Sequence, residues 1–161
     1  MKVKIKETNL QFTGLQIRTR TKYIVIHHTG NPTDDDLSAA EIHQSHLSQG
    51  WAGIGYHYVI RKDGTIERGR PRQMIGSHAY GFNSESIGIH VCGNFEIGEP
   101  TAAQLTSLSM LIAELCIIYG FIASRDVVVG HSDLMATACP GENLYRDMQS
   151  IRGNAEWYRI N

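Results

Sequence analysis

The sequence predicts a single α/β domain with a central mixed β-sheet flanked by helices, and three features lead there. Tyr23-Ile-Val-Ile26 and Asp126-Val-Val-Val129 are short β-branched runs of the kind buried on both faces of a sheet. Asp63-Gly64 divides residues 55–60 from 66–68 as a two-residue hairpin turn would, the strongest local hairpin signal in the chain. Leu105, Leu108, Leu111, Ile112, Leu115 and Ile118 recur at helical spacing. The hairpin must be antiparallel, whereas longer crossovers permit parallel neighbours, so the sheet is mixed.

In chain order, residues 1–21 place apolar side chains irregularly among Lys2, Lys4, Lys6, Arg18 and Arg20, which suits an N-terminal arm or edge strand. A strand over 23–26 delivers His27 at its end. Asn31-Pro-Thr-Asp-Asp-Asp36 is turn chemistry, and Ser38-Ala-Ala-Glu41 has capping-box spacing for a short helix over about 37–49, stopped by Gly50. In the strand read over 55–60, period two puts Tyr56 and Tyr58 on one face, opposite His57. Ser86-Ile-Gly-Ile-His-Val-Cys92 is a further strand. Thr101-Ala-Ala-Gln104 caps the long helix, which Gly120 ends; Ser107, Ser109 and Glu114 interrupt it too much for a bilayer span. The 126–129 strand runs straight into His131. A last helix is expected to start with Pro140 in its first turn and to turn Leu144, Met148 and Ile151 inward.

A chain of 161 residues, 42% hydrophobic, can bury the core of one domain without disulfides. The expected organisation is an arm or edge strand at 1–21, the main domain at 22–152, and a tail at 153–161 packed on or near it. A net charge of −1 argues against a nucleic-acid surface, which would need a clustered basic excess, and no recognition motif of that kind appears. The start, Met1-Lys-Val-Lys-Ile-Lys6, lacks the apolar stretch of a signal peptide or membrane span. The expectation is therefore a soluble monomer made in the cytoplasm, with no membrane and no nucleic acid as partner. Of three cysteines, Cys92 and Cys116 lie in apolar runs as reduced, buried thiols, leaving Cys139 as the reactive or ligating one.

His27 ends one apolar strand, His131 follows another, and Cys139 lies in His131-Ser-Asp-Leu-Met-Ala-Thr-Ala-Cys-Pro-Gly141 before a helix. A histidine ending a strand is by itself more often structural than ligating. Strand ends and helix starts at one sheet edge converge, however, and two imidazoles with a thiol are zinc donors that leave a fourth tetrahedral position for water. The positive end of the last helix should lower the Cys139 pKa and favour its thiolate.

The ordered set His27-His-Thr29, Gly53-Ile-Gly-Tyr-His-Tyr-Val-Ile60, Asp63-Gly64, Gly76-Ser-His-Ala79, Asn83 with Ser86-Ile-Gly-Ile89, Gly130-His-Ser-Asp-Leu134 and Cys139-Pro-Gly141 resembles the zinc-dependent N-acetylmuramoyl-L-alanine amidases. That group includes amidase-type bacteriophage lysozymes and animal peptidoglycan recognition proteins. The resemblance runs from about residue 22 to about 152. It implies Zn2+ held by His27, His131 and Cys139 in a surface groove at one edge of the sheet. It also implies peptidoglycan as partner and hydrolysis of the amide between the lactyl group of N-acetylmuramic acid and L-alanine.

Within that resemblance Tyr56 matches the active-site tyrosine, and the strand aromatic of purely structural use is better read as Tyr58. Phage members carry a lysine where this chain has Thr137; recognition-protein amidases have threonine there too. A threonine can donate to an oxyanion but brings no charge. His90 stands where some intracellular relatives carry a glutamate, so it is either a proton carrier or a buried strand histidine. His78 and Asn83 fall in the groove-lining loop and are read as substrate-binding. Trp51 and Tyr80 could stack on sugar or peptide, or belong to the core. His28, His43, His46 and His57 match no ligand position and are read as structural or surface residues.

The resulting expectation is a phage or prophage endolysin, or an autolysin, that reaches the wall after release or export. The alternatives are a non-catalytic peptidoglycan-binding module, which would have lost the cysteine ligand, and an intracellular muropeptide-recycling amidase, whose usual acid/base pair Thr137 and His90 do not reproduce.

Overall fold

Strand β2, Tyr23–His28, is buried along nearly its whole length, and the sheet grows from it on both sides. The computed structural model describes residues 2–161. The other strands are β1 (Ile5–Lys6), β3 (Tyr58–Ile60), β4 (Ile66–Arg68), β5 (Ser86–Val91) and β6 (Val128–Gly130). They form one six-stranded sheet in the order β1-β4-β3-β5-β2-β6. Only the β3–β4 pair is antiparallel; β1–β4, β3–β5, β5–β2 and β2–β6 are parallel. The Asp63-Gly64 turn makes the antiparallel pair as expected, with the Thr65 N–H donating to Asp63 Oδ1 at 2.9 Å.

Alternation along β2 sorts its side chains onto two layers. Ile24 and Ile26 join Ile87, Ile89, Val91, Tyr58 and Ile60 in the larger core, under α2 (Ala102–Tyr119) and α4 (Met148–Ile160). The opposite face, which carries His27, is covered by α1 (Ala39–Ser48), with Ala39, Ile42, Ile54, Val59 and Cys92 as a smaller core. Both expected capping boxes form: Ser38 with Glu41, and Thr101 with Gln104.

Several sequence expectations change here. Tyr58 lies in the larger core whereas Tyr56 packs against the smaller one, so the two tyrosines do not share a face. The regular strand begins only at Tyr58, so period two does not extend back to Tyr56. Pro140 is outside any helix: a short helix, α3 (Glu142–Tyr145), begins after Gly141, and α4 follows. Gly141 holds φ at +89°, and a Cβ there would stand 2.9 Å from His28 Nδ1, so the chain turns through a residue only glycine fits. The segment read as a tail from 153 is the second half of α4, anchored by Ala155 in the core.

By length and apolar composition α2 could cross a membrane, so its polar residues do not disqualify it as expected. They have partners within the fold instead. Glu114 accepts from the Val3 N–H at 2.8 Å, and Leu108, Leu111, Ile112 and Leu115 fill the core.

Candidate functional site

The site lies where three parallel strands, β5, β2 and β6, end side by side, and strand register builds it. Ile26 pairs with Gly130, so the next residues along, His27 and His131, are neighbours, with ring centroids 4.5 Å apart. On the other side His27 pairs directly with His90. Cys139 returns from the loop after His131, whose Ser132 N–H donates to the Cys139 carbonyl at 2.9 Å. One ligand atom from each of His27, His131 and Cys139 lies within 4.8 Å of the others, so these three could hold a metal ion. His27 is only 1% exposed, while His131 and Cys139 are half-buried at the groove surface.

Two imidazoles and a thiol carry no positive charge to repel a cation, and burial keeps them so. Burial, reinforced by the nearby His78 and His131, holds His27 well below the usual imidazole range. The expectation for Cys139 is reversed: burial pushes its thiol up to about 12, opposed only by the His28 N–H donating to Sγ at 3.3 Å. The intended helix dipole is missing because α3 starts three residues later and is a single turn. The thiolate therefore depends on a bound cation rather than on the fold.

Tyr56 stands over this group, its ring 5.0 Å from that of His27 and 4.7 Å from that of His90. Burial, then the neighbouring Cys139, raises its phenol pKa, so Tyr56 stays a hydrogen-bond donor. Thr137 is exposed, and its Oγ1 accepts from the Cys139 N–H at 3.3 Å, leaving the hydroxyl proton available to the groove. His90 is 2% exposed, its Nε2 lies 3.0 Å from Thr29 Oγ1, and burial drives its pKa down to about 3. That favours a buried strand histidine over a proton carrier at neutral pH.

The two residues read as substrate-binding make contacts within the protein. Asn83 Oδ1 accepts from the backbone N–H of His78 and of Ala79, each at 2.8 Å, and His78 Nδ1 lies 2.9 Å from His27 Nε2. Trp51 packs against His46 with ring centroids 4.4 Å apart and the planes tilted by 54°, and Tyr80 is exposed at the surface.

The remaining histidines, read as structural or surface residues, are structural, and the form of their shared duty is unforeseen in the sequence. His28, His43, His46 and His57 each offer Nδ1 to a backbone N–H, those of Phe95 (3.1 Å), Ile54 (2.9 Å), Gly55 (3.0 Å) and Gly88 (3.0 Å). Equally unforeseen, the buried Arg70 donates to the carbonyls of Ile54, Ile75 and Gly53, tying the loop before Tyr56 to the loop before His78. Neither duty has a local sequence signal, because the partners are loop backbone atoms set by tertiary structure.

A pH dependence follows from His57. Its Nδ1 accepts from Gly88, its Nε2–H donates to the Met74 carbonyl at 2.8 Å, and burial, with smaller effects of nearby arginines, lowers its pKa to about 3. The unfolded chain, with an ordinary imidazole near 6.5, takes up the proton first. This contribution to stability is therefore complete above pH 6.5 and is lost as pH falls toward 3. Urea unfolding of the metal-free protein should show a loss of about 1.4 kcal/mol per pH unit from this histidine alone between pH 6 and 4. An unfolding free energy that stays flat over that span contradicts it.

Comparison with known proteins agrees with the fold. Residues 17–142 match the family described as N-acetylmuramoyl-L-alanine amidase. The endolysin of Klebsiella phage KP32 is 37% identical over 142 residues, covering 85% of this chain and 89% of that one. Peptidoglycan-recognition protein SC2 of Drosophila melanogaster is 35% identical over 134 residues, covering 80% and 72%. Among solved structures, N-acetylmuramoyl-L-alanine amidase LysC from Clostridium intestinale superposes with a TM-score of 0.84 at 38% identity, covering 92% of this chain and 97% of that one. With a matching family over most of its length, the same sheet and a His-His-Cys group at the strand ends, the chain belongs to the N-acetylmuramoyl-L-alanine amidases and is of the phage endolysin type.

Proposed function

We propose that this amidase is zinc-dependent, with His27, His131 and Cys139 as ligands, and that it cleaves the lactyl–L-alanine amide of peptidoglycan. The observation that supports it most is the 3.6 Å between His27 Nδ1 and Cys139 Sγ. Zinc bonds of about 2.05 Å to nitrogen and about 2.3 Å to sulfur, at a tetrahedral angle, set that edge at about 3.6 Å. The donor set fits zinc in kind as well, since imidazole and thiolate are borderline and soft ligands. A bound zinc supplies an acidified water at neutral pH and polarises the scissile carbonyl.

The protein's own groups do the rest. The Tyr56 hydroxyl, protonated throughout the neutral range, donates to the carbonyl oxygen as it gains negative charge. Thr137 adds a second, uncharged donor from the groove rim. His90 provides a buried wall against which the Tyr56 ring is held. His78 and Asn83 shape the loop beside the metal group, and Asn83 keeps its amide nitrogen for the stem peptide. The protein works as a monomer on the cell wall after release from the cell.

Digestion of purified sacculi should stop on treatment with a chelator and return on adding stoichiometric zinc. The products should be glycan retaining free lactyl carboxylates, and peptides with a free L-alanine amino group. Cleavage that survives removal of all metal, or that frees reducing sugar ends instead, overturns the proposal.

A further inference from the structure

We infer that His78 is a positioning residue for His27, and that Ser86 and the Phe82 carbonyl behind it decide which nitrogen of His27 faces the metal. The inference rests on reading His27 as a ligand. Three contacts run in series: His27 Nε2 to His78 Nδ1 at 2.9 Å, His78 Nε2 to Ser86 Oγ at 3.2 Å, and Ser86 Oγ to the Phe82 carbonyl at 2.8 Å. A carbonyl can only accept, so the Ser86 hydroxyl donates to it and offers its lone pairs to His78. His78 must then donate from Nε2, which leaves Nδ1 as an acceptor. His27 is thereby required to carry its proton on Nε2, and the bare lone pair falls on Nδ1. That is the atom 3.6 Å from Cys139 Sγ. One peptide carbonyl thus sets the tautomer of a metal ligand two side chains away.

The surroundings hold His78 in this role. Its ring lies at 90° to that of His27, with centroids 4.9 Å apart. A Cβ on Gly88 would stand 2.6 Å from His78 Cγ, and one on Gly76 would stand 2.7 Å from Cδ2. Both positions leave room for the imidazole only as glycine. Asn83 fixes the His78 backbone through its N–H. A substrate-contact role would not need both ring nitrogens of this half-buried residue engaged inside the protein.

The test is zinc affinity by competition with a chromogenic chelator, in the full chain, for His78→Ala, His78→Asn, Ser86→Ala and His27→Ala. Thermal unfolding of each metal-free protein checks that the fold is kept. His78→Ala is expected to weaken zinc binding about 10- to 100-fold. His78→Asn returns an acceptor oxygen near the Nδ1 position and should recover most of the loss. Ser86→Ala should fall between wild type and His78→Ala. In the cobalt-substituted protein the visible absorption bands should shift for His78→Ala and return toward wild type for His78→Asn.

If His78→Ala binds zinc as wild type does while His27→Ala does not, His78 positions nothing and the inference falls, with the ligand assignment intact. A raised KM with unchanged zinc affinity would likewise overturn it in favour of substrate contact. If His27→Ala itself binds zinc normally, the ligand reading fails instead.

Discussion

Cys139→Ser is expected to abolish zinc binding and hydrolysis together, with activity on sacculi falling at least about 10³-fold. The magnitude follows from the several kcal/mol of transition-state stabilisation that a metal ion provides, at about 1.4 kcal/mol per factor of ten. Serine is nearly the same size, and the partners of Sγ are the His28 N–H and His27, so the fold should tolerate the change. What is lost is the sulfur that a bound cation converts to thiolate; serine, with its much higher pKa, does not ionise. His131→Ala should behave the same way. Wall hydrolysis at the normal rate by Cys139→Ser would show the ligand assignment to be wrong.

Tyr56→Phe is expected to keep zinc and to lose turnover about 10²- to 10³-fold, the usual cost of removing one donor to a developing oxyanion. The ring contacts with His27 and His90 survive in phenylalanine, so metal affinity and KM should change little. The loss should fall on kcat and persist across the neutral pH range, because the raised phenol pKa keeps the hydroxyl protonated there. A phenylalanine variant with wild-type kcat would remove Tyr56 from the chemistry.

The three residues that could hold a metal are legible because each adjoins a strong local signal. His27 and His131 follow β-branched runs, and Cys139 precedes a Pro-Gly pair. Both helix capping boxes and the Asp63-Gly64 hairpin are legible for the same reason, as each depends on residues within four of one another. Features set by distant partners were not. Nothing local says that β1 joins β4 in parallel, or that Tyr56 departs from the face of Tyr58. The Cys139 pKa runs opposite to the sequence expectation because a helix start is visible in the sequence whereas the depth of burial is not, and burial is the larger effect. The resemblance puts His78 and Asn83 in the groove-lining loop as substrate-binding residues, and the structure shows them in contact with the protein itself. Their engagement with His27 and with the loop backbone needs coordinates to be seen.

The central claim is a tetrahedral ion with three protein ligands and one place for solvent, and X-ray absorption at the zinc edge of the loaded protein tests it most directly. The expected spectrum contains two imidazoles near ~2.0–2.1 Å, one sulfur near ~2.3 Å and one further oxygen, with the sulfur absent from Cys139→Ser. A second sulfur would contradict the open site. A shell of oxygens without sulfur would contradict the site altogether.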